Sequence, residues 1–389
     1  MSFDFDAAID RRRSSSLKFD ARQAYFGRAD VMPMWVADMD FACPPAVSEA
    51  LTARAQHPIF GYTLYPDSMY QAMIDWCQRR YQWTVQRSEI VMCPGVVPSI
   101  HATIEALSKP GDKVIVQPPV YFPFFTAVTQ TGRDLLLNPL KLEQGRYTMD
   151  LAHLEDCAKQ GARLLLLCSP HNPVGRVWSK QELQDLLALA ERYDLTIISD
   201  EIHADLIYPG QTHYPLASLT SSVNVLTTIA PSKTFNIPGL GLSTLVVPDK
   251  ADRKAINAVY ESWHVSAANP FSITAFEAAY QHGDAWLDAL MAYLQRSLSW
   301  TSEYIESELE TIQLVQPDGT YLLWLDCREM GLENEALRAF FIEHAGVGMN
   351  PGYVFGESGS GFMRMNIGTP LGNVQQAFQH ITSALSANA

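Results

Sequence analysis

The sequence predicts an α/β protein, a mostly parallel sheet covered by helices on both faces and joined to a smaller α+β unit. Three observations predict it. Apolar runs of strand length recur between amphipathic helical stretches from residue 90 to residue 229. Strands apolar along their whole length are those buried on both faces of a parallel sheet. The chain has 389 residues, 47% of them hydrophobic and 18% charged, which is more than one ordinary core needs. The last ~75 residues then change character, with short strands among fewer helices.

Taken in order, residues 1–48 read as an extended arm with few helical periods, broken at Cys43-Pro44-Pro45. A short helix over 46–55 follows, then the turn-like Phe60-Gly61-Tyr62-Thr-Leu-Tyr65-Pro66 and a helical period over 69–81. Strand and helix then alternate. Residues 90–93 read as a strand, 94–98 as a turn and 99–107 as a helix; strands follow over 113–117 and 133–138. Residues 151–159 are a helix, 163–168 an apolar strand ended by Ser169-Pro-His-Asn-Pro-Val-Gly175, and 180–193 a long amphipathic helix. Buried strands are expected over 195–199 and 223–229, and helices over 251–260, 272–280 and 286–310. In the last unit, strands are expected over 320–326, 347–349 and 362–367, and helices over 335–344 and 373–385.

Composition narrows the function. A formal net charge of −14 argues against nucleic acid or an anionic membrane as partner. The six cysteines form no CxxC pair and no Cys/His cluster at zinc spacing, so reduced thiols and no metal are expected. The N-terminus is acidic without a secretory apolar segment, and no apolar run approaches the ~20 residues that span a bilayer. The expectation is a soluble cytoplasmic protein.

In parallel sheets ligands bind at the carboxyl ends of the strands, so the residues there are the candidates. Gly95-Val96-Val97 lies between a strand and a helix and fits a phosphate held by backbone N–H groups, though a plain strand–helix turn reads the same way. Tyr121, after the next strand, fits a ring stacked on a flat cofactor or a core aromatic. Asn172 is a hydrogen-bonding group on a proline-stiffened loop, or a turn former. Asp200 ends Leu195-Thr-Ile-Ile-Ser-Asp200-Glu201, and a carboxylate at the end of a buried strand is costly unless a cation meets it. His203 follows three residues on. Lys233 sits in Ala230-Pro-Ser-Lys-Thr-Phe-Asn-Ile-Pro-Gly239, just past the strand at 223–229. One strand delivering an acid and a later one delivering a lysine meets the needs of a pyridoxal phosphate (PLP) site. The lysine bonds the aldehyde, and the acid keeps the pyridine nitrogen protonated.

With these residues in place, the chain resembles fold-type I PLP enzymes, the aspartate aminotransferase superfamily, over essentially its whole length. The segments Met34-Trp-Val-Ala-Asp-Met-Asp-Phe41, Ser199-Asp-Glu-Ile-His203, Ser232-Lys-Thr-Phe-Asn-Ile-Pro-Gly-Leu240 and Met349-Asn-Pro-Gly-Tyr-Val-Phe-Gly356 are similar to its MalY/PatB branch, the cystathionine β-lyases. The resemblance implies a three-layer α/β/α transferase fold with a seven-stranded sheet. It implies an arm over 1–48 that joins the small domain, a large PLP-binding domain over 49–285 and a small domain over 286–389. It implies that Lys233 carries the cofactor, Asp200 meets the pyridine nitrogen, Asn172 the ring hydroxyl and Tyr121 the ring face. Val96, Val97 and Ser232 would hold the phosphate, with Tyr62 reaching the phosphate of the neighbouring subunit in a homodimer. Arg364 would pair with the carboxylate of an amino-acid substrate under the arm at Ala37, with Trp35 as a further wall.

Three departures separate the chain from aminotransferases. His203 stands where they commonly carry tyrosine, Gly241 where they often carry a phosphate-binding arginine, and Ala230 where a serine often stands three residues before the lysine. The implied reaction is β-elimination from a sulfur amino acid, a step of methionine or cysteine metabolism. An aminotransferase, or a regulator keeping the fold, is the alternative.

Overall fold

The computed structural model describes residues 3–220 and 222–388. Its centre is a seven-stranded sheet in the order Ile90–Cys93, Ser243–Val246, Val225–Ile229, Thr196–Asp200, Leu164–Cys168, Lys113–Val116 and Asp134–Leu137. All strands are parallel except Ser243–Val246, which runs antiparallel to both neighbours. No strand is expected there from the sequence. Leu164–Cys168 and Val225–Ile229 are buried at every residue, which is why they carry no polar alternation.

The flanking helices show their sequence signals. Lys180–Arg192 starts with a capping box in which Ser179 and Glu182 satisfy each other's backbone N–H groups. Its Leu183, Leu186, Leu187 and Ala190 form the stripe that meets the sheet. Val96–Leu107 packs against Lys250–Trp263 on the sheet.

A second sheet is antiparallel throughout, in the order Gln313–Val315, Leu322–Asp326, Phe362–Asn366 and Asn350–Pro351. Arg364 pairs with Trp324 on one side and Asn350 on the other, so it sits mid-sheet. The 25-residue helix Asp284–Glu308 packs against the closing helix Leu371–Asn388. The helix expected over 335–344 is α-helical only over Asn334–Ala339 and passes into a π-helical turn at Phe340–His344.

The arm is less extended than its sequence predicts. Leu17–Asp20 and Arg22–Phe26 are helices too short to carry a repeat. Met32–Pro33 pairs parallel with Val347–Gly348, and the Asn366 N–H donates to the Met34 carbonyl. A charged cluster ties the arm down. The fully buried Lys18 ammonium meets Asp40 at 3.0 Å, and Arg11 meets Asp38 at 2.6 Å and Asp40 at 2.7 Å. Removing one member of a buried pair strands the other charge without solvent. Asp40→Ala therefore lowers stability by about 3 kcal/mol. Denaturant midpoints at constant slope measure it, and an unmoved midpoint would refute it. One apolar cluster runs from Phe5 and Met34 through Trp76, Phe235 and Trp286 to Phe378, so arm, lysine turn and closing helix share packing.

Candidate active site

A cavity of about 290 Å³ opens at the carboxyl ends of the central strands. Of the residues expected there, Ala37, Gly95, Val96, Val97, Tyr121, Asn172, Asp200, His203, Ser232 and Lys233 all line it. A larger hollow, about 530 Å³, lies beside Met330, Phe340 and Leu385, but Glu329 and His344 are its only charged or titratable lining. The smaller cavity is where the chemistry converges.

Asp200 reaches it because strand register sets it level with Cys168 and Thr228. Side chains alternate across a strand end, so the adjacent Glu201 turns the other way. It accepts from Ser199 at 2.8 Å and from the Leu216 N–H at 3.0 Å, and meets His213 at 2.9 Å. Burial raises the Asp200 carboxyl to about 7, opposed by the Ile202 N–H and aided by Glu201. Among the described residues no cation is paired with Asp200.

Lys233 sits in the single helical turn Pro231–Thr234. Its neighbour Thr234 donates to half-buried Asp205 at 2.7 Å, and Asn236 brackets the arm by accepting from the Met39 N–H and donating to the Met39 and Phe41 carbonyls. The amine donates to the Ala37 carbonyl at 2.5 Å. Burial, then Arg364, lower the amine to about 8, with Asp38 and Asp200 opposing. His203 is buried as well; desolvation, then Lys233 and Arg364, push it down to about 3, so it is neutral at working pH. Its Nδ1 has no hydrogen-bond partner among the described residues.

Arg364 is only 3% exposed and does not itself line the cavity; it stands behind Asn172, which does. It donates to Asn172 Oδ1 at 3.0 Å, Asn350 Oδ1 at 2.8 Å and the Trp35 carbonyl at 3.1 Å. Its Nε is unpartnered, and burial lowers it to about 10. No carboxylate pairs with it among the described residues, so a guanidinium stays buried with neutral acceptors alone.

At the other end of the cavity, Val96–Leu107 begins after Gly95 with no side chain capping its N–H groups. Gly241 has φ +36°, and a Cβ there would lie 3.3 Å from the Pro94 carbonyl oxygen. A side chain at this position would therefore be strained. Nearby Ser243 presents a buried hydroxyl without a hydrogen-bond partner among the described residues, a group the sequence reading missed because it sits on the unforeseen antiparallel strand.

One expected residue is placed differently. The Trp35 indole packs with Phe26, Val31 and Ile342 and donates to the Lys18 carbonyl at 3.0 Å. Only its backbone faces the site, through Arg364, because the strand-like arm turns that side chain into the small-unit core. Tyr62 is fully exposed and not at this chain's cavity. A further group was not foreseen: the buried Tyr321 hydroxyl donates to the Ala37 carbonyl at 2.9 Å. In sequence it reads only as part of a strand.

A family model for aminotransferase class I and II matches residues 29–381. The chain belongs to that family. Within it, the chain is 40% identical to cystathionine beta-lyase PatB of Bacillus subtilis, across 98% of this chain and 100% of that one. Protein MalY of Escherichia coli is 32% identical, with 99% of each chain covered. Among family structures, cystalysin from Treponema denticola, which contains a pyridoxal 5'-phosphate cofactor, superposes with TM-score 0.95 at 33% identity, covering 100% of each chain. The sheet order and the strand-end cavity described above are thus those of a family fold. No helix among the described residues is long and apolar enough to cross a membrane.

Proposed function

We propose that the protein is a PLP-dependent carbon–sulfur β-lyase, cleaving cystathionine or a similar S-substituted cysteine to a thiol, pyruvate and ammonia. The observation that carries this is a set of mismatched charges at one cavity. Among the described residues Asp200 is a buried acid with no paired cation, Arg364 a buried cation with no paired anion, and Lys233 a half-buried amine lowered to about 8. A pyridinium nitrogen and an amino-acid carboxylate supply the missing partners. The uncapped helix end at Gly95 and the unpartnered Ser243 hydroxyl fit the phosphate in the same way. The lyase name of the relative at 40% identity points to the same chemistry.

In this reading Asp200 holds the pyridine nitrogen, Asn172 the ring hydroxyl, Tyr121 and His203 the ring surroundings, and Val96, Val97 and Ser232 the phosphate. Bound there, PLP supplies an aldehyde for the amine and a ring that withdraws electrons from Cα. Arg364 pairs with the substrate carboxylate and fixes the direction of the Cα–H bond. Lys233, as the neutral amine, takes the Cα proton. Electrons of that bond form the Cα–Cβ double bond as the Cβ–S bond breaks, and sulfur leaves as thiolate. With one water, cystathionine gives homocysteine, pyruvate and ammonia. Buried His203 stays neutral, so it adds no second positive charge beside the lysine.

The test is cystathionine alone. Pyruvate and homocysteine form without a keto-acid acceptor; if nothing forms until a keto acid is added, the aminotransferase reading replaces this one. That second reading draws on the family model, whose description is aminotransferase.

The lysine carries a pH prediction. Only the neutral amine attacks an aldehyde, and its neutral fraction rises tenfold per pH unit below about 8. Capture of PLP by cofactor-free protein therefore accelerates from pH 6 to 8 and levels off above. Absorbance after mixing reads the rate; a pH-independent rate would contradict a lysine of lowered pKa.

Tyr62 completes the neighbouring subunit's phosphate site in a homodimer. Ile59, Phe60 and Leu64 are exposed with it, an apolar segment that a second copy would cover. Mixing inactive Lys233→Ala subunits with Tyr62→Ala subunits should regain activity, because one site per mixed dimer is intact. No regain would sink the shared site.

A further inference from the structure

The Ala37 carbonyl accepts two side-chain donors, the Lys233 amine at 2.5 Å and the Tyr321 hydroxyl at 2.9 Å. Tyr321 is 1% exposed and immediately precedes the strand Leu322–Asp326. Its edge faces the His203 ring, with centroids 6.3 Å apart. The backbone leading into it is constrained on every side. The Asp318 N–H donates to the Gly175 carbonyl at 2.7 Å and the Thr320 N–H to the Leu206 carbonyl at 2.7 Å. Beyond it, the Ile367 N–H donates to the Tyr321 carbonyl at 2.9 Å. Buried Arg176 meets Asp318 at 2.6 Å. Thr320 itself has φ +71°, a left-handed conformation that a β-branched residue adopts only where its surroundings compel it. The strained residue thus directly precedes the one whose hydroxyl reaches the lysine's acceptor.

We propose that Tyr321 is a positioning residue for Lys233: its hydroxyl pins the Ala37 carbonyl, and the pinned carbonyl holds the amine. The proposal rests on the lyase reading, in which Lys233 leaves its bond when substrate enters and must then stand at the Cα proton. A free four-carbon side chain loses orientation at that moment, and an oriented acceptor restores it. The Ala37 carbonyl also serves as the parking place of the amine before the cofactor is bound. Phenylalanine keeps the ring and its packing, and removes only the pin. The carbonyl is otherwise held through its neighbours, by Asn366 at Val36 and Asp38 and by Arg364 at Trp35.

The charged and titratable groups facing the amine are Asp38 of the arm, Asp200 and His203 of the strand end, Arg364 of the second sheet and Tyr321 itself. Tyr321→Phe leaves the other four in place. An unpinned carbonyl stabilises the ammonium less, so the amine becomes easier to deprotonate. In cofactor-free Tyr321→Phe protein the pH midpoint for PLP capture, near 8 in the parent, falls by about half a unit, the size of one modest hydrogen bond. In the loaded variant kcat with cystathionine falls about tenfold with KM nearly unchanged. Faster capture below the midpoint together with slower turnover is a combination that general loosening of the fold does not produce. Thr320→Gly, which relieves the strain but keeps the hydroxyl, shifts both readouts in the same directions and less far.

A midpoint that stays or rises in Tyr321→Phe overturns the proposal, as does an unchanged kcat. Should Tyr321→Phe fail to fold, unchanged readouts in Thr320→Gly overturn it instead. Wild-type protein that yields no pyruvate from cystathionine overturns the lyase reading, while the capture midpoint still reports on Tyr321.

Discussion

Lys233→Ala lowers the rate of pyruvate formation from cystathionine by about 10⁴-fold or more, the upper end of what a positioned proton acceptor contributes. The reason lies in what else lines the cavity. His203 is the other nitrogen base there, and burial with two neighbouring cations pushes it down to about 3. A base that weak does not take a proton from carbon at neutral pH. In the proposed function Asp200 is the partner of the ring nitrogen and so is not free to act as a base. No lining side chain replaces the amine, and in the same reading alanine also removes the nitrogen that would bond the cofactor. Stability suffers little, because the amine's one hydrogen bond is to the Ala37 carbonyl, which Tyr321 continues to satisfy. Steady-state pyruvate assays on folded protein decide the matter. A rate within tenfold of the parent would remove Lys233 from the centre of the mechanism.

Arg364→Ala lowers kcat/KM for cystathionine about 10³-fold, or about 4 kcal/mol, within the range for truncating one partner of a buried, hydrogen-bonded charge pair. The guanidinium is held by two asparagine oxygens and one backbone carbonyl, all neutral, and is only 3% exposed. A carboxylate arriving there gains a full charge pair with little screening. Arg364→Lys does not restore the rate, since an ammonium lacks the planar fork that engages both carboxylate oxygens. Because burial lowers the guanidinium only to about 10, it stays charged across the working range, and the loss is the same from pH 6 to 9. Should kcat/KM fall less than tenfold, the carboxylate lies elsewhere.

Much of the site was legible without coordinates because it lies at strand ends. Asp200 and Lys233 each follow a run of apolar residues, and such runs form buried strands whose carboxyl ends share one edge of the sheet. Asn172, Tyr121 and the Gly95 turn were legible for the same reason. Trp35 was misread because an arm without helical or strand period does not reveal which way a side chain turns. Ser243 escaped because no strand was expected where its antiparallel strand lies.

What the sequence determined by itself is therefore local and periodic: the alternation of strands and helices, the identity of the acid and the lysine, and their order along the sheet. Gly241 belongs there too, since glycine at the expected arginine position was visible, though the reason for it was not. What only the tertiary structure decided is every contact between segments far apart in the chain. The arm brings the Ala37 carbonyl to a lysine 196 residues away, and the second sheet brings Tyr321 to the same oxygen from 284 residues away. Hydrophobic patterning says which face of a segment is buried, but not against which other segment. The lone pairs of one carbonyl are shared according to packing, and packing is a property of the folded whole.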